Sequence, residues 1–111
     1  RDYEAVTDEA ARQTVAAAHE AFLGWRETSF GVRAAALKRA AALLRAESDE
    51  LGRLMTLEMG KPLKQAEAEL EKCALGCEYY AEHGAKMLEP ERVETDARKS
   101  YVSYRPLGVV L

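Results

Sequence analysis

The chain has 111 residues, 48% of them hydrophobic and 32% charged, with a formal net charge of −3. That balance belongs to a folded domain rather than a disordered tail, and the interspersed charges form no basic stripe of the kind nucleic acid requires. No apolar stretch approaches the roughly 18 residues of a membrane span, and two cysteines are too few for a disulfide framework, so a reducing cytoplasmic setting is expected.

The ends set a further expectation. The sequence opens at Arg1 without Met and closes on the apolar run Val109-Val110-Leu111. An apolar terminal strand needs a partner, so more chain, or another chain, is expected to cover it. No charged region followed by an apolar core stands near the start, and no signal peptide is expected.

Taken in order, Thr7 suits an N-cap ahead of Asp8 and Glu9, which favour the positive end of a helix dipole. Ala11, Val15, Ala18, Phe22 and Trp25 then recur at spacings of three and four, predicting a helix from about Asp8 to Arg26. Thr28-Ser29 caps a second helix to about Glu47, with Val32, Ala36, Ala40, Leu43 and Leu44 opposite Arg33, Lys38 and Arg45. Ser48 is expected to recap the chain before a third helix carrying Leu51, Leu54, Met55 and Leu57. Gly60 is its expected stop, because glycine adopts left-handed backbone cheaply.

Pro62 fits the first turn of a fourth helix reaching about Met87. Leu63, Ala66, Leu70, Cys73, Cys77, Tyr80, Gly84 and Met87 alternate by three and four along it, the spacing of a packed seam. Glu89 to Ala97 reads as a polar surface loop, Lys99 to Arg105 as a strand, and Pro106-Leu107-Gly108 as its break. Val109 to Leu111 is continuously apolar, as a strand buried on both faces would be. The fold class predicted is thus mainly α, four helices ending in two β-strands.

The chemistry-bearing side chains support no catalytic set. Cys73 and Cys77 lie one helical turn apart, but two thiols are not a metal site, and packing against an apolar face is the expectation for both. Neither has a specific base beside it, Lys72 and His83 being the nearest candidates. His19 has no nucleophile at a recognisable spacing. Gly60-Lys61 lacks the first glycine and the following Ser or Thr of a phosphate loop. Glu67, Glu69 and Glu71 alternate on the fourth helix and are expected to face solvent, weakly paired with Lys64 and Lys72. No catalytic, cofactor-binding or metal-ligating residue is therefore assigned.

The stretch Ala18-His19-Glu20-Ala21-Phe22-Leu23-Gly24-Trp25-Arg26, followed by Arg33 and Leu43-Leu44, resembles the opening helices of aldehyde dehydrogenases. Thr56-Leu57-Glu58-Met59-Gly60-Lys61-Pro62-Leu63 resembles that family's helix corner, and Tyr79-Tyr80-Ala81-Glu82 the aromatic pair of the next helix. Ser100-Tyr101-Val102-Ser103-Tyr104-Arg105-Pro106-Leu107-Gly108-Val109-Val110-Leu111 is similar to the passage from the family's oligomerisation strand into its nucleotide-binding sheet. Thr95-Asp96-Ala97-Arg98-Lys99-Ser100 resembles the succinate-semialdehyde branch.

The resemblance implies part of an α/β nucleotide-binding domain: residues 1–98 its helical N-terminal part, 99–106 an oligomerisation strand, and 107–111 the start of the first sheet strand. It implies an enzyme using NAD or NADP on a small aldehyde and forming a homo-oligomer through Lys99–Arg105. A cysteine thiolate would attack the aldehyde, an asparagine and a backbone amide would hold the oxyanion, and a glutamate would activate water. Those side chains are expected beyond Leu111, and neither Cys73 nor Cys77 matches the nucleophile's motif. The first three helices would pack against the nucleotide-binding sheet. The fourth helix would border the aldehyde tunnel, with Glu71 and Lys72 nearest its mouth. A small helical interaction module, suggested by the seam of the fourth helix, is the alternative.

Overall fold

A computed structural model describes residues 4–110. Four helices and a short hairpin follow in order: α1 (Asp8–Trp25), α2 (Phe30–Ala46), α3 (Ser48–Met59), α4 (Leu63–Met87), β1 (Glu91–Val93) and β2 (Ser100–Val102). The chain divides into two units, residues 29–103 and a unit built from segments 1–28 and 104–111.

The helix ends follow capping chemistry. The Thr7 hydroxyl accepts a hydrogen bond from the Ala10 N–H at 3.2 Å, and the Ser29 hydroxyl one from Val32 N–H at 3.3 Å. Each satisfies a donor that the first helical turn leaves without an intrahelical partner. Ser48 departs from expectation: it is the first residue of α3, the cap position belongs to Glu47, and no side chain caps that end. Glu47 N–H already bonds Leu43 O and Leu51 N–H bonds Glu47 O, so the chain turns from α2 into α3 with its backbone groups largely satisfied. Gly60 ends α3 at φ +72°, its N–H donating to Thr56 O. Pro62 takes the N-cap position of α4 with ψ 133°, one residue before the first turn anticipated for it.

In the unit of residues 29–103, α4 packs along α2 and over a shorter length against α3. Its core is built from small side chains: Ala41 on α2 and Ala66, Leu70 and Ala74 on α4 are buried, as is Gly52 on α3. A Cβ at Gly52 would stand 3.3 Å from Leu63 Cδ1 and 3.4 Å from Glu67 Cγ, so glycine sets how closely α3 and α4 approach. The seam of α4 therefore runs through Ala74, with Cys77, Ala81 and Gly84 half-buried beyond it. The expected inward positions Leu63, Cys73, Tyr80 and Met87 are exposed instead, because the neighbouring alanines permit closer contact than a thiol or an aromatic ring. On α2 the same holds: Val32 and Leu43 are exposed, whereas Ala41 is buried and Leu37 and Leu44 are half-buried.

The strands differ from expectation in place. The segment read as a polar loop contains β1, which pairs antiparallel with β2 in the register Glu91 to Val102, Arg92 to Tyr101 and Val93 to Ser100. Thr95 shapes the turn: its hydroxyl lies 2.6 Å from Ser100 Oγ and accepts from Ala97 N–H. The strand expected over Lys99–Arg105 is thus confined to Ser100–Val102, since β1 offers partners only there. Val109 and Val110 form no strand among the described residues, and Leu111, the last residue of that expected strand, lies outside them.

In the other unit, α1 carries its apolar stripe largely uncovered. Ala18 and Phe22 are half-buried while Val15 and Trp25 are exposed, and Leu107–Val109 line an open apolar hollow with Ala11, Val15 and His19. Gly108 has φ +117°, and a Cβ built on it would stand 3.8 Å from Phe22 Cε1.

Candidate functional site

Helix α4 carries the two residues singled out at the tunnel mouth, and the structure treats them differently. Arg45, in the last turn of α2, reaches across to α4. Its Nε donates to both carboxylate oxygens of Glu71, at 3.2 and 2.9 Å, while Nη1 and Nη2 donate to Glu78 at 2.5 and 2.9 Å. Glu71 and Glu78 stand two turns apart on one face, and a planar guanidinium fork spans both. These hydrogen bonds from Arg45 hold both carboxyls below their ordinary range, and the two glutamates together raise the guanidinium.

Glu71 therefore faces solvent, as expected, but not with the expected partner. Its counter-charge comes from α2 rather than from Lys72. Glu69 likewise pairs with Lys61 of the corner rather than with a lysine of its own helix. Packing brings α2 and the corner against α4, and sequence spacing along one helix could not reveal those partners. Lys72 is exposed and enters no ion pair among the described residues.

The other chemistry-bearing groups remain scattered. Cys73 is an exposed free thiol, contrary to the packing expected of it, and Cys77 is half-buried, also free. His83 packs edge-on against Tyr79 with ring centroids 4.4 Å apart, and Tyr79 meets Tyr80 in the same manner at 5.5 Å. His19 lies on α1, its ring centroid 6.2 Å from that of Phe22. No group of three metal-ligating side chains occurs among the described residues. Nor do those residues form a dinucleotide cradle, which needs a glycine turn between a strand and a helix N-terminus. Gly60 instead joins two helices, and Gly108 opens no helix.

The sequence profile of the aldehyde dehydrogenase family matches residues 1–111. The chain belongs to the aldehyde dehydrogenase family. It is 47% identical over 94 residues to a probable succinate-semialdehyde dehydrogenase [NADP(+)] of Synechocystis, covering 85% of this chain and 21% of the relative. With the succinate semialdehyde dehydrogenase [NAD(P)+] of Escherichia coli it shares 44% over 90 residues, 81% of this chain and 20% of the relative. Its fold matches the crystal structure of succinic semialdehyde dehydrogenase from Streptococcus pyogenes in complex with NADP+ at a TM-score of 0.84 and 29% identity, over 91% of this chain and 22% of that one. The chain thus spans about a fifth of these relatives' length. The family match takes in both the helix corner at Gly60 and the aromatic pair of α4.

Proposed function

We propose that these residues are the N-terminal part of an NAD(P)-dependent aldehyde dehydrogenase that oxidises succinate semialdehyde to succinate. The observation that carries this reading is the match of the whole chain to the family together with relatives named for that activity at 44 and 47% identity. NAD or NADP, when bound, accepts the hydride that leaves the aldehyde carbon. In this proposal the described residues do not hold it, and the thiolate, oxyanion donors and water-activating carboxylate belong to the remainder of the enzyme.

The role left to the chain is to shape and support. Exposed, uncommitted Lys72 offers an ammonium to an approaching anionic aldehyde, at the mouth of the tunnel that α4 borders. Glu71, anchored by Arg45, fixes the helix face on which Lys72 sits. Among the described residues β1 and β2 pair only with each other, and we assign the β2 edge within Lys99–Arg105 to pairing between subunits of a homo-oligomer, where main-chain hydrogen bonds supply affinity. No helix among the described residues is long and apolar enough to cross a membrane. A cytoplasmic enzyme with neither membrane nor nucleic acid as partner fits the composition.

The test is reduction of NAD+ and of NADP+ by the complete gene product, followed at 340 nm with succinate semialdehyde and with an uncharged aldehyde of similar length. Turnover favouring the acidic substrate is expected. Turnover of neither aldehyde removes the reading, and equal turnover removes its substrate. Lys72→Ala is expected to raise KM for succinate semialdehyde severalfold while leaving that of the uncharged aldehyde unchanged; unaltered kinetics for both would remove Lys72 from the tunnel mouth.

A further inference from the structure

Lys72 stands without a counter-charge on a helix rich in carboxylates, and the contacts around it explain how that arises. A helix brings a side chain beside those three and four residues away. For Lys72 these are Ala68, Glu69, Leu75 and Gly76, so Glu69 is the acidic partner its own helix offers. A glutamate on the N-terminal side of a lysine is also the favourable order for such a pair. Glu69 nevertheless pairs with Lys61, which lies in the corner between α3 and α4.

The other carboxylate close to Lys72 is Glu71, its neighbour in sequence. Adjacent side chains leave a helix in different directions, so Glu71 acts on Lys72, and on any anion approaching it, through its field rather than by pairing. Arg45 offsets that field: its Nε donates to both oxygens of Glu71 at 3.2 and 2.9 Å, while Nη1 and Nη2 hold Glu78. Two cations from outside α4 thus occupy both carboxylates beside Lys72. The Lys72 ammonium is left exposed, in no ion pair among the described residues.

We propose that Lys61 and Arg45 are positioning residues that set specificity: by holding Glu69 and Glu71 they keep the Lys72 ammonium free for the carboxylate of an anionic aldehyde. The inference rests on the proposal that Lys72 stands at the mouth of the aldehyde tunnel. Neither Lys61 nor Arg45 touches substrate in this account. The arrangement selects charge rather than length. Glu69, once released, neutralises Lys72; Glu71, once released, repels the same substrate; an uncharged aldehyde senses neither.

Steady-state kinetics of the complete gene product at low ionic strength, with succinate semialdehyde and an uncharged aldehyde of similar length, test it. Lys61→Met and Arg45→Met are each expected to raise KM for succinate semialdehyde about threefold, the weight of one unit charge about 6 Å away in water. The kcat values and the KM of the uncharged aldehyde should not move. Adding Glu69→Gln to Lys61→Met, or Glu71→Gln to Arg45→Met, is expected to lower KM for succinate semialdehyde again, and Lys61→Arg, which keeps the charge, to match the unmodified enzyme. KM unchanged in both methionine variants, raised equally for the two aldehydes, or indifferent to the added glutamines overturns the inference.

Trace acetylation with acetic anhydride, read by mass spectrometry, follows Lys72 without reference to turnover. In Lys61→Met its labelling is expected to slow about threefold, because an ammonium paired with Glu69 gives up its proton less readily; unchanged labelling overturns the pairing. Lys72→Ala separates the two readings. If that variant leaves KM for succinate semialdehyde unchanged, the tunnel-mouth role of Lys72 fails and this inference with it. If it raises KM while the Lys61 and Arg45 variants are silent, this inference alone fails.

Discussion

Gly60 and Gly76 offer opposed tests of what backbone geometry contributes to the unit formed by residues 29–103. Gly60 stops α3 at φ +72°, with nothing within 4 Å of the point where a Cβ would stand. Gly60→Ala therefore introduces no clash, and its effect is conformational. Left-handed backbone costs an L-residue about 1–2 kcal/mol, against which the stiffer unfolded chain returns about 0.4–1 kcal/mol. A net loss of about 1 kcal/mol is expected, or about 4–8 °C in Tm for a unit of this size. Gly76 lies inside α4 with the same open space around its missing Cβ. Gly76→Ala replaces a poor helix former by the best one, and a gain of about 1 kcal/mol is expected. Thermal unfolding followed at 222 nm measures both. If Gly60→Ala is neutral the left-handed stop is not maintained in solution, and if Gly76→Ala lowers Tm the face of α4 around it is occupied rather than open.

The Arg45 fork makes a pH-dependent prediction. Glu71 and Glu78 titrate below their unfolded value of 4.5, so their contribution is present above that value and fades as pH falls through the lowered folded values. The Tm gap between the unmodified protein and Arg45→Met should accordingly be largest near neutrality and narrow in acid; a gap constant from pH 7 to pH 3 would mean the fork contributes nothing in solution. Because both carboxylates are exposed, added salt should shrink the same gap at pH 7. Ala74 is fully buried on α4, so Ala74→Leu is expected to overpack the seam and cost about 1–3 kcal/mol, whereas Cys73→Leu, on the exposed position beside it, should be nearly neutral in the same melts. Equal losses at both positions would restore Cys73 to the seam.

That last pair shows where the sequence was legible and where it was not. Helix existence was readable because each start carries its own chemistry: Thr7 and Ser29 cap as their side chains dictate, and Gly60 stops α3 as an unbranched backbone allows. Those signals are local, and so they survive without knowledge of the tertiary fold. The pairing of charges was not readable, because Arg45 and Glu71 lie on different helices and only packing brings them together. For the same reason β1 was hidden in a polar segment. Its strand character comes from β2 across the hairpin and not from the composition of Glu91-Arg92-Val93.

The seam of α4 failed for a subtler reason. From Leu70 onward, steps of three then four give Cys73, Cys77, Tyr80 and Gly84, while steps of four then three give Ala74, Cys77, Ala81 and Gly84. Both sets are apolar and both satisfy helical periodicity, so periodicity alone cannot choose between them. Close packing chooses: the alanines let α2 and α3 approach, and the larger side chains are left on an adjoining ridge. The helix consequently has more apolar face than its intramolecular neighbours use, and Tyr80, which belongs to that ridge, also forms one wall of a concavity lined by Phe30, Arg33 and Leu37.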